Sequence, residues 1–274
     1  MPDRFARLAL AGNLRKNHGM RFSAFLLTLL GAFAFTGSAQ EKTERHLILL
    51  IGQSNMAGRA KLEAEDKKPI KGAFLWHIGE KKWGPALAPF NLHSPSRKEV
   101  SMQRLNCGPS FVRAYLEANP GVEVGVVCAA RGGSSVEQWK KKGKDKFQLY
   151  KHAIEAAKAA KANGGEFKAI LWHQGESNSG DISDYAKKLT ELIENLRSDL
   201  EQPEVPFVYS QLGQWRPEYG DFNKLIVTLP EKIPHTACVT TEDLTAMDKA
   251  HFDTKSQREL GRRYFSTLQP LLKK

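Results

Sequence analysis

Five short apolar runs rich in β-branched residues alternate with helix-length segments along this chain, and this alternation constrains the fold most strongly. The runs are His46–Ile51, Val122–Cys128, Phe167–Trp172, Pro206–Leu212 and Thr236–Thr240. Helical spacing of apolar residues predicts helices over Pro109–Ala118, Leu149–Ala162, Ser183–Leu200 and Thr254–Leu268. Strands that alternate with helices form a parallel sheet through right-handed crossovers. The sequence therefore predicts an α/β fold, a three-layer α/β/α sandwich with a five-stranded parallel sheet.

A long segment between the first strand and the first helix interrupts this regular pattern. It spans residues 61–104, and within it Ala73–Ile78 and Trp83–Pro85 flank the turn-forming residues Gly79–Lys82. This arrangement predicts a small hairpin. A long ordered insertion beside the edge of a sheet often shapes a binding site.

The N-terminal 39 residues have the pattern of a secretory signal. Arg15, Lys16 and Arg21 precede the apolar stretch Phe22–Phe35, and the small residues Gly37-Ser38-Ala39 follow it. This stretch is shorter than the roughly 20 residues that a permanent membrane span needs. We therefore expect a cleaved signal over residues 1–39, with Met20 as an alternative start, and export to the periplasm or the extracellular medium. The mature chain, residues 40–274, has a length that suits one domain.

Charge and cysteine content narrow the choice of function. The net charge of the whole chain is +11, and it falls to +7 without residues 1–39. The lysines follow no aromatic-interleaved pattern, so nucleic acid is not expected as a partner. Cys107, Cys128 and Cys238 lack the spacing of a zinc site, and we interpret them as structural thiols, although one disulfide is compatible with an exported protein.

Two sequence blocks carry nucleophilic chemistry. Gly52-Gln53-Ser54-Asn55-Met56 follows the first apolar run directly, so Ser54 is expected at the carboxyl edge of the sheet, where open α/β sheets bind ligands. Near the other end of the chain, Asp248 and His251 are three residues apart. Serine first, then acid and histidine, is one order that a hydrolytic triad takes. Ser54 would be the nucleophile, His251 the base and Asp248 the acid that orients it.

Five blocks in this order resemble the SGNH hydrolases. They are Gly52–Met56, Gly108-Pro109, Gly132–Ser135, Trp172–Ser177 and Asp248–His251. More narrowly, the chain is similar to carbohydrate esterase family 6 and its sialate O-acetylesterase-like branch, which includes acetyl xylan esterases. The resemblance covers residues 46–269 and implies a flavodoxin-like sandwich.

The resemblance also implies an oxyanion hole. It assigns the backbone N–H of Ser54, the backbone N–H of Gly133 and the side chain of Gln174 as donors, with Gly132 or Gly108 as alternatives to Gly133. The wider superfamily usually has asparagine where this chain has Gln174, and the longer amide is expected to serve the same role.

Several other residues near these blocks are candidates for supporting or competing roles. Gln53, Asn55, Gly108 and Glu176 are interpreted as supporting residues, and Arg59 as a residue that holds neighbouring loops. Glu176 is also an alternative acid for the base, and His173 is interpreted as a packing residue. Trp76, Trp83 and Trp139 are candidates for stacking on sugar rings, although core packing is the simpler reading. His235 and Asp243 are competing base and acid outside the recognisable blocks.

Together these observations predict a serine esterase that removes acetyl groups from a carbohydrate, without a metal or organic cofactor. The expected substrate is an acetylated oligo- or polysaccharide, acetylated xylan or a related plant polysaccharide first. The alternatives are a sialate O-acetylesterase and a non-catalytic carbohydrate-binding relative.

Overall fold

The computed structural model describes residues 45–143 and 145–272, and the predicted signal over residues 1–39 lies outside them. Within that part of the chain, no helix is both long and apolar enough to cross a membrane.

A mostly parallel sheet forms the centre of the molecule. Its strands are β1 (Arg45–Gly52), β2 (Ala73–His77), β3 (Lys82–Pro85), β4 (Glu123–Cys128), β5 (Glu166–His173), β6 (Phe207–Ser210) and β7 (Thr236–Val239). Their order across the sheet is β3-β2-β4-β1-β5-β6-β7. Among the strands of the described residues, only β3 is antiparallel to its neighbour.

The two faces of β1 explain why helices cover both sides of the sheet. Leu47, Leu49 and Ile51 pack into one core cluster, whereas Ile48 and Leu50 pack into another. A strand buried on both faces appears as a continuous apolar run rather than an alternating one. The predicted three-layer α/β/α sandwich is therefore confirmed.

Six α-helices lie among the described residues. They are α1 (Ser54–Ala57), α2 (Gly108–Ala118), α3 (Leu149–Ala162), α4 (Tyr185–Leu200), α5 (Gly220–Val227) and α6 (Thr254–Leu272). Buried residues of α3, α4 and α5 belong to the first core cluster, and those of α2 and α6 to the second. The four predicted helices are present as α2, α3, α4 and α6, and the short helices α1 and α5 are additions to them.

The strand count corrects the sequence prediction, because the described sheet has seven strands rather than five. All five predicted strands are present. The two further strands are the arms of the predicted hairpin, β2 and β3, which extend the sheet. Ala73, Phe74 and Leu75 pair in parallel with Val124, Gly125 and Val126 of β4. The hairpin therefore belongs to the central layer.

Candidate active site

Ser54 lies where β1 ends and the short helix α1 begins. Gly52, at φ 135°, permits this exit, because a Cβ there would overlap the backbone of His173 in β5. Ser54 is only 7% exposed. Its hydroxyl forms no hydrogen bond within the described residues. The hydroxyl oxygen is also not one of the fully buried polar atoms without a partner, so part of it is accessible. The hydroxyl is therefore free to react with an incoming group.

Asp248 and His251 form a hydrogen-bonded pair on the turn before α6. His251 Nδ1 lies 2.8 Å from Oδ2 of Asp248 and 3.0 Å from its Oδ1. Asp248 Oδ1 also accepts the backbone N–H groups of Ala250 and His251. Burial raises the pKa of Asp248, but these hydrogen bonds outweigh it and hold the pKa below its ordinary value. The ionised carboxylate favours a proton on Nδ1, which leaves Nε2 as the basic nitrogen.

Asn55 connects this turn to the segment that carries Ser54. Its side-chain nitrogen donates to the carbonyl of Ala250 at 3.0 Å, and its side-chain oxygen accepts the N–H of Phe252 at 3.2 Å. These two partners are the residues on either side of His251. Because Asn55 follows Ser54 directly, this clamp of two hydrogen bonds ties the His251 turn to the segment that carries Ser54. Within the described residues no hydrogen bond joins Ser54 Oγ to His251 itself.

Trp215 provides a second support for the turn, and no sequence motif predicted this role. Its indole N–H donates to the carbonyl of Lys249 at 3.2 Å, and its ring packs edge-on against Phe252 with centroids 4.9 Å apart. A Cβ on Gly213 would overlap the indole ring. A glycine two residues before a tryptophan is the sequence signal that could have indicated this contact.

Two of the predicted oxyanion donors have unused backbone N–H groups. The N–H groups of Ser54 and Gly133 donate to no acceptor in the described part of the chain. Gly133 has φ 72° and is exposed, so its backbone is open to a substrate. Gly108 differs, because it is buried and its N–H donates to Asn106 Oδ1 at 3.0 Å. The alternative role for Gly108 is therefore excluded in this conformation.

The Gln174 amide is directed into the protein. Its nitrogen donates to Asn178 Oδ1 at 2.7 Å, to Gln53 Oε1 at 3.1 Å and to the Ser134 carbonyl at 3.2 Å. Its oxygen accepts the hydroxyl of Tyr185 at 3.0 Å. An oxyanion role would require one of the nitrogen's contacts to break. The donor role of Gln174 therefore stays a prediction that this geometry does not favour.

Glu176 and His173 form a buried pair beneath the clamp. Their side chains are 6% and 1% exposed, with His173 Nε2 3.3 Å from Glu176 Oε1. The same Glu176 oxygen accepts the Asn55 amide at 2.6 Å, and His173 Nδ1 lies 2.6 Å from Ser210 Oγ. Burial raises the pKa of Glu176, but the nearby His173 and Asn55 outweigh it, so the pKa is below its ordinary value. Since Asp248 occupies His251 Nδ1, Glu176 supports Asn55 in this structure and does not contact the imidazole of His251.

The other candidates for the base, the acid and the sugar-stacking residues have surroundings that differ from those of Ser54, His251 and Asp248. His235 precedes β7 directly, so it lies at the amino end of the strand, on the opposite edge from Ser54. Asp243 is exposed, in a left-handed turn. Trp76 and Trp139 are about 1% exposed or less and belong to the core, and Trp83 packs against Trp76. Neither core tryptophan is available to stack on a sugar ring.

All three cysteines are free thiols, which rules out the alternative of an internal disulfide in this structure. Burial raises the pKa of Cys107 and of Cys238 to about 12. Burial also raises the pKa of Cys128. A thiol that stays protonated is a poor nucleophile, so the structural interpretation of the cysteines agrees with their surroundings.

One group of metal-ligating side chains lies in the insertion, apart from the blocks around Ser54. His77, Glu80 and His93 have ligand atoms within 4.8 Å of one another. The two imidazole rings stack face to face, with centroids 3.6 Å apart and 16° between their planes. In-plane lone pairs of stacked rings run nearly parallel and do not converge on one ion, and Glu80 is paired with Lys82. We assign no metal site here.

Comparison with known proteins places this α/β sandwich, with a serine at the carboxyl edge of its sheet, among the esterases. Residues 44–269 match the family model described as "carbohydrate esterase, sialic acid-specific acetylesterase". The chain belongs to this family of carbohydrate esterases, an SGNH-like branch. The resemblance drawn from the five sequence blocks is thereby confirmed.

Individual relatives agree with the family assignment. A probable carbohydrate esterase of Arabidopsis thaliana, At4g34215, is 28% identical over 234 residues, which cover 78% of this chain and 86% of the relative. Its crystal structure superposes with a TM-score of 0.73 at 23% identity and covers 83% of this chain and 98% of the relative.

Two further solved structures share the fold. NanS superposes with a TM-score of 0.65 at 14% identity and covers 83% of this chain and 97% of NanS. XAC1771, a carbohydrate acetylesterase from Xanthomonas citri, gives 0.63 at 18% identity, with 83% of this chain and 56% of that protein covered.

Proposed function

We propose that this protein is a serine esterase that removes O-acetyl groups from a carbohydrate. The observation that carries the proposal is the Asp248–His251 pair, whose turn is clamped on both sides of the histidine by Asn55, the neighbour of Ser54. Nucleophile, base and acid are thus supplied by one end of the sheet. Family membership independently supports a carbohydrate ester as the substrate.

The chemistry follows from the roles of these three residues. His251 Nε2 accepts the Ser54 proton while Ser54 Oγ attacks the acetyl carbonyl carbon. The backbone N–H groups of Ser54 and Gly133 donate to the oxyanion that forms. The protonated His251 then gives its proton to the departing sugar oxygen, which leaves an acetyl group on Ser54. In the second half, His251 activates a water molecule, and acetate leaves with regeneration of Ser54.

Two substrate classes follow from the family. Acetylated xylan or a related plant polysaccharide is the substrate expected from the sequence resemblance, and acetylated sialic acid is the class that the family description names. Acetate release from acetylated xylan, an O-acetylated sialic acid and an aryl acetate, measured side by side, tests both. A protein that binds these sugars and releases no acetate from any of them would be a carbohydrate-binding relative instead.

We further propose that the protein is exported after removal of residues 1–39. The basic flank, the apolar stretch and the small residues before Gln40 support this proposal. N-terminal sequencing of protein recovered outside the cytoplasm should then begin at or near Gln40. Recovery of the intact segment in native material would contradict it.

A further inference from the structure

The insertion over residues 61–104 is attached to the segment that leads into Gly133. Asn91 lies in this insertion and is fully buried. Its side-chain oxygen accepts the backbone N–H of Ala130 at 2.9 Å, and its side-chain nitrogen donates to the carbonyl of Ala130 at 3.0 Å. The same nitrogen donates to Gln103 Oε1 at 2.8 Å, so a second insertion residue holds the amide in place. One side chain therefore pairs both backbone groups of a residue just beyond β4, as a neighbouring strand would.

Arg131 provides a second attachment to the same insertion. Its guanidinium donates to the carbonyl of Ser96 at 2.9 Å and lies over the ring of Phe147, 3.4 Å from the ring centroid. Its backbone N–H donates to the carbonyl of Gly52, at the end of β1, at 3.0 Å. Ala130 and Arg131 are thus held by the insertion and by the sheet immediately before the two glycines.

Arg59 connects the insertion with these glycines as well. Its Nη1 donates to the carbonyls of Gly58 at 2.6 Å and of Met102, in the insertion, at 3.1 Å. A Cβ placed on Gly132 would overlap Nη2 of the same guanidinium. The guanidinium therefore packs against Gly132, as expected for a residue that holds neighbouring loops.

The residues from Arg131 to Ser134 form a tight turn. The N–H of Ser134 donates to the carbonyl of Arg131 at 3.3 Å, and of the two residues between them only Gly133 has a positive φ, of 72°. A positive φ at the third position alone is the pattern of a type II turn, which glycine favours. The central peptide of this turn joins Gly132 to Gly133 and carries the N–H that is the proposed oxyanion donor. The position of that donor therefore depends on how the start of the turn is held.

We infer that Asn91 and Arg131 are positioning residues for the reaction, because they hold the turn so that the Gly133 N–H meets the oxyanion. The inference rests on the proposed esterase function. Donors stabilise an oxyanion only when they are already held where the charge develops. A displacement of about 1 Å costs on the order of 10²-fold in rate. Two adjacent glycines have no side chains that could fix the turn, so the neighbouring residues fix it.

An ester whose carbonyl oxygen is replaced by sulfur reports directly on the oxyanion donors. Sulfur is a weak hydrogen-bond acceptor, so the donors stabilise its anion much less than they stabilise the oxyanion. The test compares kcat/KM for phenyl acetate and phenyl thionoacetate, which share their acyl chain and leaving group. The wild-type enzyme should prefer the oxygen ester by about 10²-fold or more, the order of magnitude that one oxyanion donor contributes.

Asn91→Ala should lower kcat for phenyl acetate at least about 10-fold and change KM less than about 3-fold. It should also lower the preference for the oxygen ester at least about 5-fold, because the displaced N–H no longer distinguishes the two anions. Arg131→Ala should change both quantities in the same direction. Arg131 is only half-buried, so this variant keeps the inference testable even if Asn91→Ala folds poorly.

Gln202→Ala is the matched control. Gln202 also pairs both backbone groups of one residue, Phe167, at 3.2 Å and 2.9 Å, but it does so at the amino end of β5, on the opposite edge from Ser54. This variant should keep the wild-type kcat and the wild-type preference. Asn55→Ala is a second comparison, and it should slow both esters equally, because it displaces His251 rather than an oxyanion donor.

A wild-type preference near one would overturn the inference. So would slower turnover with an unchanged preference in Asn91→Ala and Arg131→Ala, and if Asn91→Ala does not fold, the result for Arg131→Ala decides. Hydrolysis of phenyl acetate by the wild-type enzyme tests the proposed function separately. If that reaction occurs and the variants keep the wild-type preference, the esterase proposal stands and the positioning role of Asn91 and Arg131 fails.

Discussion

Asn55 holds the backbone on both sides of His251, through hydrogen bonds of 3.0 Å to Ala250 and 3.2 Å to Phe252. The residue after Ser54 thus fixes the turn that carries His251. Gln257 of α6 adds a contact of 3.3 Å to the Asn55 amide oxygen. This side chain thus joins chain segments about 200 residues apart in sequence.

We predict that Asn55→Ala lowers kcat at least about 10-fold with a smaller change in KM, because the base loses its position relative to Ser54. Asn195→Ala is the matched control, since Asn195 is a half-buried residue of α4 whose side chain, within the described residues, donates only to the carbonyl of Glu191. Steady-state kinetics with an aryl acetate provide the measurement. Unchanged kcat in Asn55→Ala would show that the turn holds its position without the clamp.

For the acid, Asp248→Asn should lower kcat by about 10⁴-fold, because an amide stabilises neither the required tautomer nor the imidazolium. Glu176→Gln should lower kcat far less, since Glu176 contacts Asn55 rather than the imidazole of His251. Comparison of kcat for the two variants decides the assignment. A larger loss in Glu176→Gln would make Glu176 the catalytic acid.

Glu176 should instead affect the dependence of stability on pH. Its pKa in the folded protein is lower than its ordinary value of 4.5, so its ionised form stabilises the fold above that value. This contribution is lost as the pH falls through the folded pKa. Glu176→Gln should lower the unfolding free energy by about 1.5–3 kcal/mol at pH 7, because the Asn55 amide loses a charged acceptor.

The difference in unfolding free energy between Glu176→Gln and wild type should shrink as the pH falls below about 4.5, where the carboxylate of the unfolded chain takes up a proton, and should be smallest below the lower folded pKa. Denaturant unfolding at several pH values measures this difference in unfolding free energy. Glu155→Gln is the control, because Glu155 is exposed. A constant difference across this range would contradict the linkage.

Gln174→Ala should act mainly on folding. Its removal leaves Gln53 Oε1 and Asn178 Oδ1 with fewer donors in a buried setting, so we expect the unfolding free energy to fall by about 1–3 kcal/mol. The accompanying loss in kcat should stay below about 10-fold. If kcat instead falls by about 10²–10³ with stability retained, Gln174 is an oxyanion donor.

The sequence was most informative where the physical signal is local. Continuous apolar strands such as Leu47–Ile51 reveal burial on both faces, and the residue after such a strand has a predictable position at the sheet edge. The hairpin was also recognisable, but its pairing with β4 depends on contacts between Ala73 and Val124, which no local pattern reports. The short helix α5 gave too few turns for a periodic signal.

Side-chain direction was the least predictable property of the site. Gln174 and Gly133 both follow strands at the carboxyl edge of the sheet. The side-chain amide of Gln174 nevertheless faces the interior, whereas the backbone of Gly133 is exposed. The difference arises from Gln53 and Asn178, which provide acceptors for Gln174. His235 was excluded by its position before β7.

Acetate release from an O-acetylated sugar by the wild-type protein and by Ser54→Ala is the most direct test of the central claim. Because Ser54 Oγ is the proposed nucleophile and no other group replaces it, the variant should lose roughly 10³-fold or more in kcat while retaining its circular dichroism spectrum and melting temperature. Near-wild-type acetate release by a folded Ser54→Ala protein would contradict the proposed mechanism.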